Sequence, residues 1–422
     1  MRILYLHPKA WSGEYPILAT LRGRGHDVFV LEEWRGEAKT KGGRKRPAMF
    51  ATPEFLRPGD GIETLWYDPH RGAGKLLTWP VDRFFKRAFS GRNLAHRMLV
   101  IRAAVARLRP DVVVCTDGFT YALPAAYLKR LGLLPARLLV SYIGGDILDC
   151  PDAGVGRRRT PLVDWMIRTS LAGIDVLRPL CDSLARILLR DGADPARLHV
   201  IPIQLGRPLA ELRAVAAERT AVSARIRARY GIPVDAPLVV TLSGNHKGKG
   251  LHLLAAQWPR IRAAVHGARW LLCGPEEPWL AEGVRPLLSQ AGLLDTVSFS
   301  GSLSGMDVYE HLAAGDIHAN PTLCEGLNMV TVEAAAVGTP TVTSDGAGVA
   351  DWLARFDAGA VVPAWEEAPL GDAIILALLD ATLRAGWSQA CDRLVEEFSL
   401  DRIAAALEDL MVHPDPLSPA QP

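Results

Sequence analysis

The sequence has few closely spaced metal or redox ligands. Its six cysteines never come closer than the 31 positions between Cys150 and Cys181, so the C-x-x-C pairs of zinc ribbons and thioredoxin-like centres are excluded. Cysteines this dispersed are expected to be free, buried thiols in a reducing compartment. The eleven histidines form no H-E-x-x-H or comparable spacing, and no metal or other cofactor is expected. No window approaches about 18 uninterrupted apolar residues, which argues against a membrane-spanning helix. The opening MRILYLHPK lacks a signal-peptide core and cleavage site, so the expected location is the cytoplasm. The composition is 49% hydrophobic and 22% charged, with mean hydropathy +0.10. That leaves ample apolar material for folded cores and excludes a disordered chain. At roughly 100 to 200 residues per domain, the 422 residues correspond to two or three domains.

The formal charge of +2 conceals an asymmetry. Residues 1–200 hold 32 Lys+Arg against 20 Asp+Glu, a formal +12, and the remaining residues hold 16 against 26, a formal −10. Basic residues concentrate at 35–46, 83–97 and 157–159, and in the second stretch Phe84, Phe85 and Phe89 alternate with Arg83, Lys86, Arg87 and Arg92. This mixture suits an anionic membrane surface or an acidic ligand, and equally a solvated loop beside a helix whose aromatics pack inward. The acidic second half, without aromatic single-strand or helix-in-groove motifs, argues against nucleic acid as a partner.

Short Val/Ile/Leu runs alternate with helical segments. Strands are predicted at 2–6, 29–33, 111–115, 137–143, 175–179 and 199–203, then at 237–244, 269–274, 296–301, 316–321, 339–345 and 359–364, with helices at 91–108 and 161–172 among the connections. Continuous apolar strands of this kind are buried on both faces, as in parallel α/β sheets. The fold class is therefore α/β, with two Rossmann-like doubly wound domains, 1–205 and 206–390. Ligands of such sheets sit outside the carboxyl ends of the strands, and the crevice facing both domains is the default site. The proline-rich residues 414–422 (PDPLSPAQP) are expected to be a disordered tail.

The most informative segment is 324–348, CEGLNMVTVEAAAVGTPTVTSDGAG. Glu325 falls in the turn after a strand, and Glu333 lies eight residues on, within a helix predicted to begin near Asn328. The helical part of that separation covers under about 12 Å, comparable to part of a nucleotide-sugar. Glu333 is surrounded in sequence by Val330, Val332, Ala334, Ala335, Ala336 and Val337. A carboxylate there requires a partner, and two ribose hydroxyls suit one. The helix start, Leu327 to Val330 through Asn328 and Met329, offers backbone N–H groups and the positive end of a helix dipole, which favour a phosphate.

Two further turns carry candidates. Residues 243–250, SGNHKGKG, follow the first strand of the second domain, and Lys247 or Lys249 can reach a phosphate there. Gly244 and Asn245 belong to the same turn, which lacks the spacing of a Walker loop. In the first domain, Gly144 and Gly145 permit a tight turn that either presents Asp146 to a ligand or lets it cap the next helix. Gly13, after the first strand, allows close ligand approach.

These residues resemble the family-4 retaining glycosyltransferases of the GT-B fold from the first strand to about Phe398, most strongly over 238–352. The resemblance implies that Glu333 holds the donor ribose and Glu325 contacts hydroxyls of the transferred sugar. It assigns the amides of Asn328, Met329 and Val330 to the diphosphate and sugar, and Lys249 to the phosphates. Gly13 matches the glycine-containing loop of the first domain. Residues 391–413 would form a helix crossing back to that domain, following Trp387. Two positions depart from the family pattern: Asn245 stands where an arginine is usual, and Ile143 where a histidine often precedes the Gly-x-Asp turn.

The implied activity is metal-independent transfer of a hexose-like sugar from a nucleotide-diphosphate-sugar to an acceptor hydroxyl, with Glu325, Lys249 and Asp146 as the groups nearest the chemistry. The acceptor is expected to be anionic or membrane-associated, with peripheral membrane contact through the basic first domain. Two other readings stay open: a sugar-nucleotide 2-epimerase-like isomerase and a non-catalytic nucleotide-sugar-binding protein.

Overall fold

A computed structural model describes residues 1–7, 14–33, 62–67, 78–83, 93–158, 160–244, 246–276 and 278–413, with Trp66 as backbone only. Gly13, Asn245, residues 35–46, residues 84–92 with their three phenylalanines, and the tail 414–422 lie outside the described residues. The chain divides into two compact units. The first comprises Met1–Asp149, Gly156–Gly206 and Leu400–Pro422, and the second Cys150–Val155 and Arg207–Ser399.

In the first unit, strands β1 (Arg2–His7), β2 (Asp27–Glu33), β3 (Glu63–Tyr67), β4 (Val112–Cys115), β5 (Arg137–Tyr142) and β6 (Val176–Pro179) form one sheet in the order β3-β2-β1-β4-β5-β6. All its pairings are parallel. The central strands read as apolar runs because both faces are covered: Ile3 to Leu6 and Val112 to Cys115 are all buried.

Strand β3 (ETLWY) lacks the Val/Ile run that marks the others. Residues 199–203, predicted as a strand, are not one. Leu198 forms a single bridge with Leu177, and the amides of His199 and Ile201 donate to Leu177 and Pro179. The carbonyls of Ile201 and Pro202 then turn to the buried Arg178 guanidinium instead of continuing a ladder.

The predicted helix 391–413 is two helices. Ala381–Glu396 belongs to the second unit and Leu400–Val412 to the first. Between them the amides of Glu397, Phe398 and Ser399 bond three residues back, the tightened turn that closes many helices. Helix Leu400–Val412 contributes Ile403, Ala404, Leu407, Leu410 and Met411 to the core formed by Ile3, Tyr5, Ile17 and Leu21. Outside that core, Arg24 and His26 bond Glu408 at 2.6 and 2.7 Å and hold its carboxyl below the usual range.

The second unit repeats the plan. Strands β7 (Leu238–Leu242), β8 (Arg269–Cys273), β9 (Val297–Gly301), β10 (Ile317–Asn320), β11 (Thr341–Ser344) and β12 (Gly359–Val362) pair in parallel in the order β9-β8-β7-β10-β11-β12. Buried Trp258 and Trp270 anchor this core, and each indole N–H has a threonine hydroxyl as acceptor, Thr296 at 2.8 Å and Thr241 at 3.0 Å. Both sheets thus share one strand order, which reverses direction between their first and fourth strands. Open α/β sheets bind ligands at that point.

Candidate functional site

In the second unit the reversal lies between β7 and β10, and the loops leaving these strands, 243–250 and 321–328, are stitched together. The Gly248 carbonyl accepts the Leu323 amide at 2.8 Å and the Thr322 hydroxyl at 3.1 Å. Gly250 is held at φ +66°, and a Cβ there would stand 1.9 Å from the Pro321 carbonyl oxygen, so only glycine fits. On the other side the Glu325 amide donates to Gly346 at 2.9 Å and the Val349 amide to Leu327 at 2.8 Å. A disulfide between Cys150 and Cys324 fastens the same loop to the turn Pro151–Ala153. This corrects the expectation of six free thiols, because pairing across 174 positions leaves no local signal. Cys115, Cys181, Cys273 and Cys391 are buried thiols outside this disulfide.

Upon this frame Lys249 donates to Glu325 Oε1 at 2.5 Å. The other carboxylate oxygen, Glu325 Oε2, is buried without a hydrogen-bond partner among the described residues. Beneath the loop, burial and then the Lys249 charge push the His318 imidazole down to about 3. It is therefore neutral, with Nδ1 3.1 Å from the Thr341 hydroxyl.

The helix Met329–Ala336 starts from Asn328, which is buried in the left-handed conformation, φ 74° and ψ 69°. Among the described residues no acceptor faces the amides of Met329 and Val330. Such open first-turn amides, together with the helix dipole, form an anion site. One turn further along, half-buried Glu333 has no cationic partner among the described residues. Tyr309 donates its hydroxyl to Glu333 Oε1 at 3.4 Å, while burial pushes the carboxyl up to about 7. The helix ends at Ala336, with Val337 and then Gly338 at φ +76° following it.

Leu327, Asn328, Met329, Val330 and Glu333 therefore lie on one helix and its lead-in, and Lys249 meets Glu325 directly beside it. Gly244 and Lys247 are exposed on the neighbouring turn. Asp146 belongs to the first unit, where its side chain is buried. It is 3% exposed, and its carboxylate accepts the amides of Gly118 (2.7 Å), Ile143 (3.0 Å), Gly144 (2.8 Å) and Ile147 (3.1 Å). Burial nevertheless pushes it up to about 6. These four backbone donors make Asp146 the residue that holds this turn. Tyr309 and Asn320 were not foreseen. A tyrosine on a separate helix carries no motif, and Asn320 reads in sequence only as a strand end.

Comparison with known proteins decides the family. The profile described as "Glycosyl transferase 4-like domain" matches residues 15–204, and that described as "Glycosyl transferases group 1" matches residues 236–380. The chain belongs to the family-4 glycosyltransferases of the GT-B fold.

Over 199 residues this glycosyltransferase chain is 30% identical to a GDP-mannose-dependent alpha-(1-6)-phosphatidylinositol monomannoside mannosyltransferase of Mycobacterium tuberculosis, covering 45% of this chain and 51% of that protein. The match thus spans about half that relative's length. Over 409 residues it is 26% identical to a D-inositol 3-phosphate glycosyltransferase of Xylanimonas cellulosilytica, covering 94% and 93% of the two chains. Among solved structures, the Anabaena protein HepE in complex with UDP superposes with TM-score 0.71 at 15% identity, covering 97% of this chain and 99% of that one.

Proposed function

We propose that this chain transfers a sugar from a nucleotide-diphosphate-sugar to an acceptor hydroxyl, with retention and without a metal. The observation that carries the reading is the helix Met329–Ala336, which combines open N-terminal amides with a half-buried carboxylate that has no cationic partner among the described residues. Glu333 takes two ribose hydroxyls, which supply the donors its burial demands. The amides of Asn328, Met329 and Val330 take the diphosphate, and Lys249 adds a positive charge. In the absence of ligand that charge is shared with Glu325. An arriving phosphate competes for Lys249 and releases Glu325 toward hydroxyls of the transferred sugar.

Breaking the sugar–phosphate bond develops negative charge on the diphosphate and positive charge at the anomeric carbon. Donors fixed in place before the reaction stabilise that charge with little reorganisation. The acceptor hydroxyl attacks from the face the phosphate leaves, and the departing phosphate oxygen takes its proton. No side-chain nucleophile is invoked. The two carboxylates hold different parts of the donor, unlike the flanking pair of a glycoside hydrolase.

The acceptor is proposed to be anionic. The formal +12 of residues 1–200 supports this, as do two relatives whose names specify phosphatidylinositol monomannoside and D-inositol 3-phosphate. Peripheral membrane contact is part of the same proposal. Among the described residues no helix is long and apolar enough to cross a membrane.

The test is to incubate the protein with UDP-, GDP-, ADP- and dTDP-sugars, with and without phosphoinositol-type acceptors and with a chelator throughout. The expected result is acceptor-dependent consumption of one donor class, with the product's anomeric configuration unchanged by NMR. Epimerised donor in the absence of acceptor would replace this reading with an isomerase, and binding without turnover would replace it with a non-catalytic sensor.

A further inference from the structure

Asn328 is an L-residue held at φ 74°, a region favoured by glycine. Its side chain is fixed from one direction in particular. Asn328 Oδ1 accepts the side-chain amide of Asn320 at 2.9 Å, with the Thr331 hydroxyl a longer second donor at 3.4 Å. Both asparagines are buried, Asn320 completely and Asn328 to 3% exposure. Asn320 is the last residue of β10, and its own carbonyl is held by the Thr343 hydroxyl at 2.8 Å. A rigid strand end is thus bonded to the residue that reverses the chain into the helix Met329–Ala336. The amides that follow this reversal, those of Met329 and Val330, have no acceptor among the described residues.

We propose that Asn320 is a positioning residue for these amides, acting through Asn328. It holds Asn328 left-handed, so that the first turn points its N–H groups at a diphosphate. This rests on the reading of the helix as the donor site. The pair also leaves Asn320 Oδ1 and Asn328 Nδ2 buried and without partners among the described residues. Such unsatisfied groups are unfavourable for stability alone, which fits a pair retained for conformation.

Glycine adopts φ near +74° without penalty, so it replaces the function of the pair. The experiment is calorimetric titration with UDP and with GDP of the wild-type chain, Asn320→Ala, Asn328→Ala, Asn328→Gly and Asn320→Ala/Asn328→Gly, with melting curves for each. Asn320→Ala and Asn328→Ala are expected to weaken nucleotide binding about 5- to 10-fold, the scale of a left-handed L-residue. Asn328→Gly, which keeps the backbone amide at that position, should bind more tightly than Asn328→Ala, and adding Asn320→Ala to it should change nothing further.

If Asn320→Ala is equally harmful in the Asn328→Gly background, Asn320 acts by packing and the proposal is overturned. An Asn328→Gly variant as weak as Asn328→Ala overturns it too. Should Asn320→Ala not fold, Asn320→Asp, which keeps the shape and loses the donor, is read the same way. A wild-type chain that binds neither nucleotide overturns the donor reading itself, whereas wild-type binding with an indifferent Asn320→Ala removes only the positioning role.

Discussion

The two sheets have the same strand order, yet the carboxylates at their carboxyl ends differ in how completely they are paired among the described residues. In the first unit, Asp146 is saturated by four amides. Nearby in that sheet, Glu33 accepts from Arg97 and from Tyr67, whose hydroxyl also meets Tyr121 at 2.8 Å. Among the described residues of the second unit, Glu325 keeps an unpaired buried oxygen, Asn320 and Asn328 each keep an unpaired atom, and the first amides of the helix Met329–Ala336 lack acceptors. A shared scaffold therefore says where a ligand can sit, and unfilled hydrogen-bonding capacity says which loop awaits one. Buried polar groups are ordinarily satisfied, so a cluster that is not satisfied is informative.

The sharpest way to break this contrast is at Asp146. Its replacement by alanine strands four amides and should destabilise the first unit by about 3 kcal/mol or more, seen as a lowered first transition in calorimetry and lost hydrogen-exchange protection at residues 143–147. Nucleotide affinity of the second unit should stay unchanged below that transition. Unchanged stability would show that the carboxylate is not the holder of the turn.

A smaller effect sharpens the contrast from the other side. The Glu333 carboxyl sits near 7 in the ligand-free chain because burial disfavours its charge. The folded value lies above the unfolded one, so stability is full below the unfolded value and declines as pH rises toward 7. Glu333→Gln should therefore raise the melting temperature at pH 8 and leave it nearly unchanged at pH 5. Nucleotide binding, which uses the charged form, should strengthen about tenfold from pH 6 to pH 8 in the wild type, because one group with a value near 7 passes from mostly protonated to mostly charged. It should be flat in Glu333→Gln. A wild-type profile as flat as that of the variant would place Glu333 away from the ligand.

Much of this architecture could be read from the sequence because parallel strands buried on both faces must be apolar throughout. LVVTL, RWLLC and VVVC could hardly be anything else. ETLWY escaped notice because polar and bulky residues interrupt it. The segment 199–203 misled because its Val/Ile content reflects packing on β6 while Arg178 captures its carbonyls. The candidate site was legible where one helix carries both its amides and Glu333, since local spacing encodes helical placement. The Cys150–Cys324 link and the Asn320–Asn328 bond depend on tertiary approach. An aspartate after two glycines suits presentation and turn-holding alike, and the four amide distances supply the turn-holding part, which spacing alone does not show.

The central claim is that Glu333 and the amides ahead of it grip a nucleotide diphosphate. The most direct measurement is titration of wild type and Glu333→Ala with UDP and GDP at pH 8. Loss of hydrogen bonds to a charged group, at about 1.5 to 3 kcal/mol each, predicts at least about tenfold weaker binding of the preferred nucleotide with the fold intact. Equal affinity of the two proteins for that nucleotide would contradict the account.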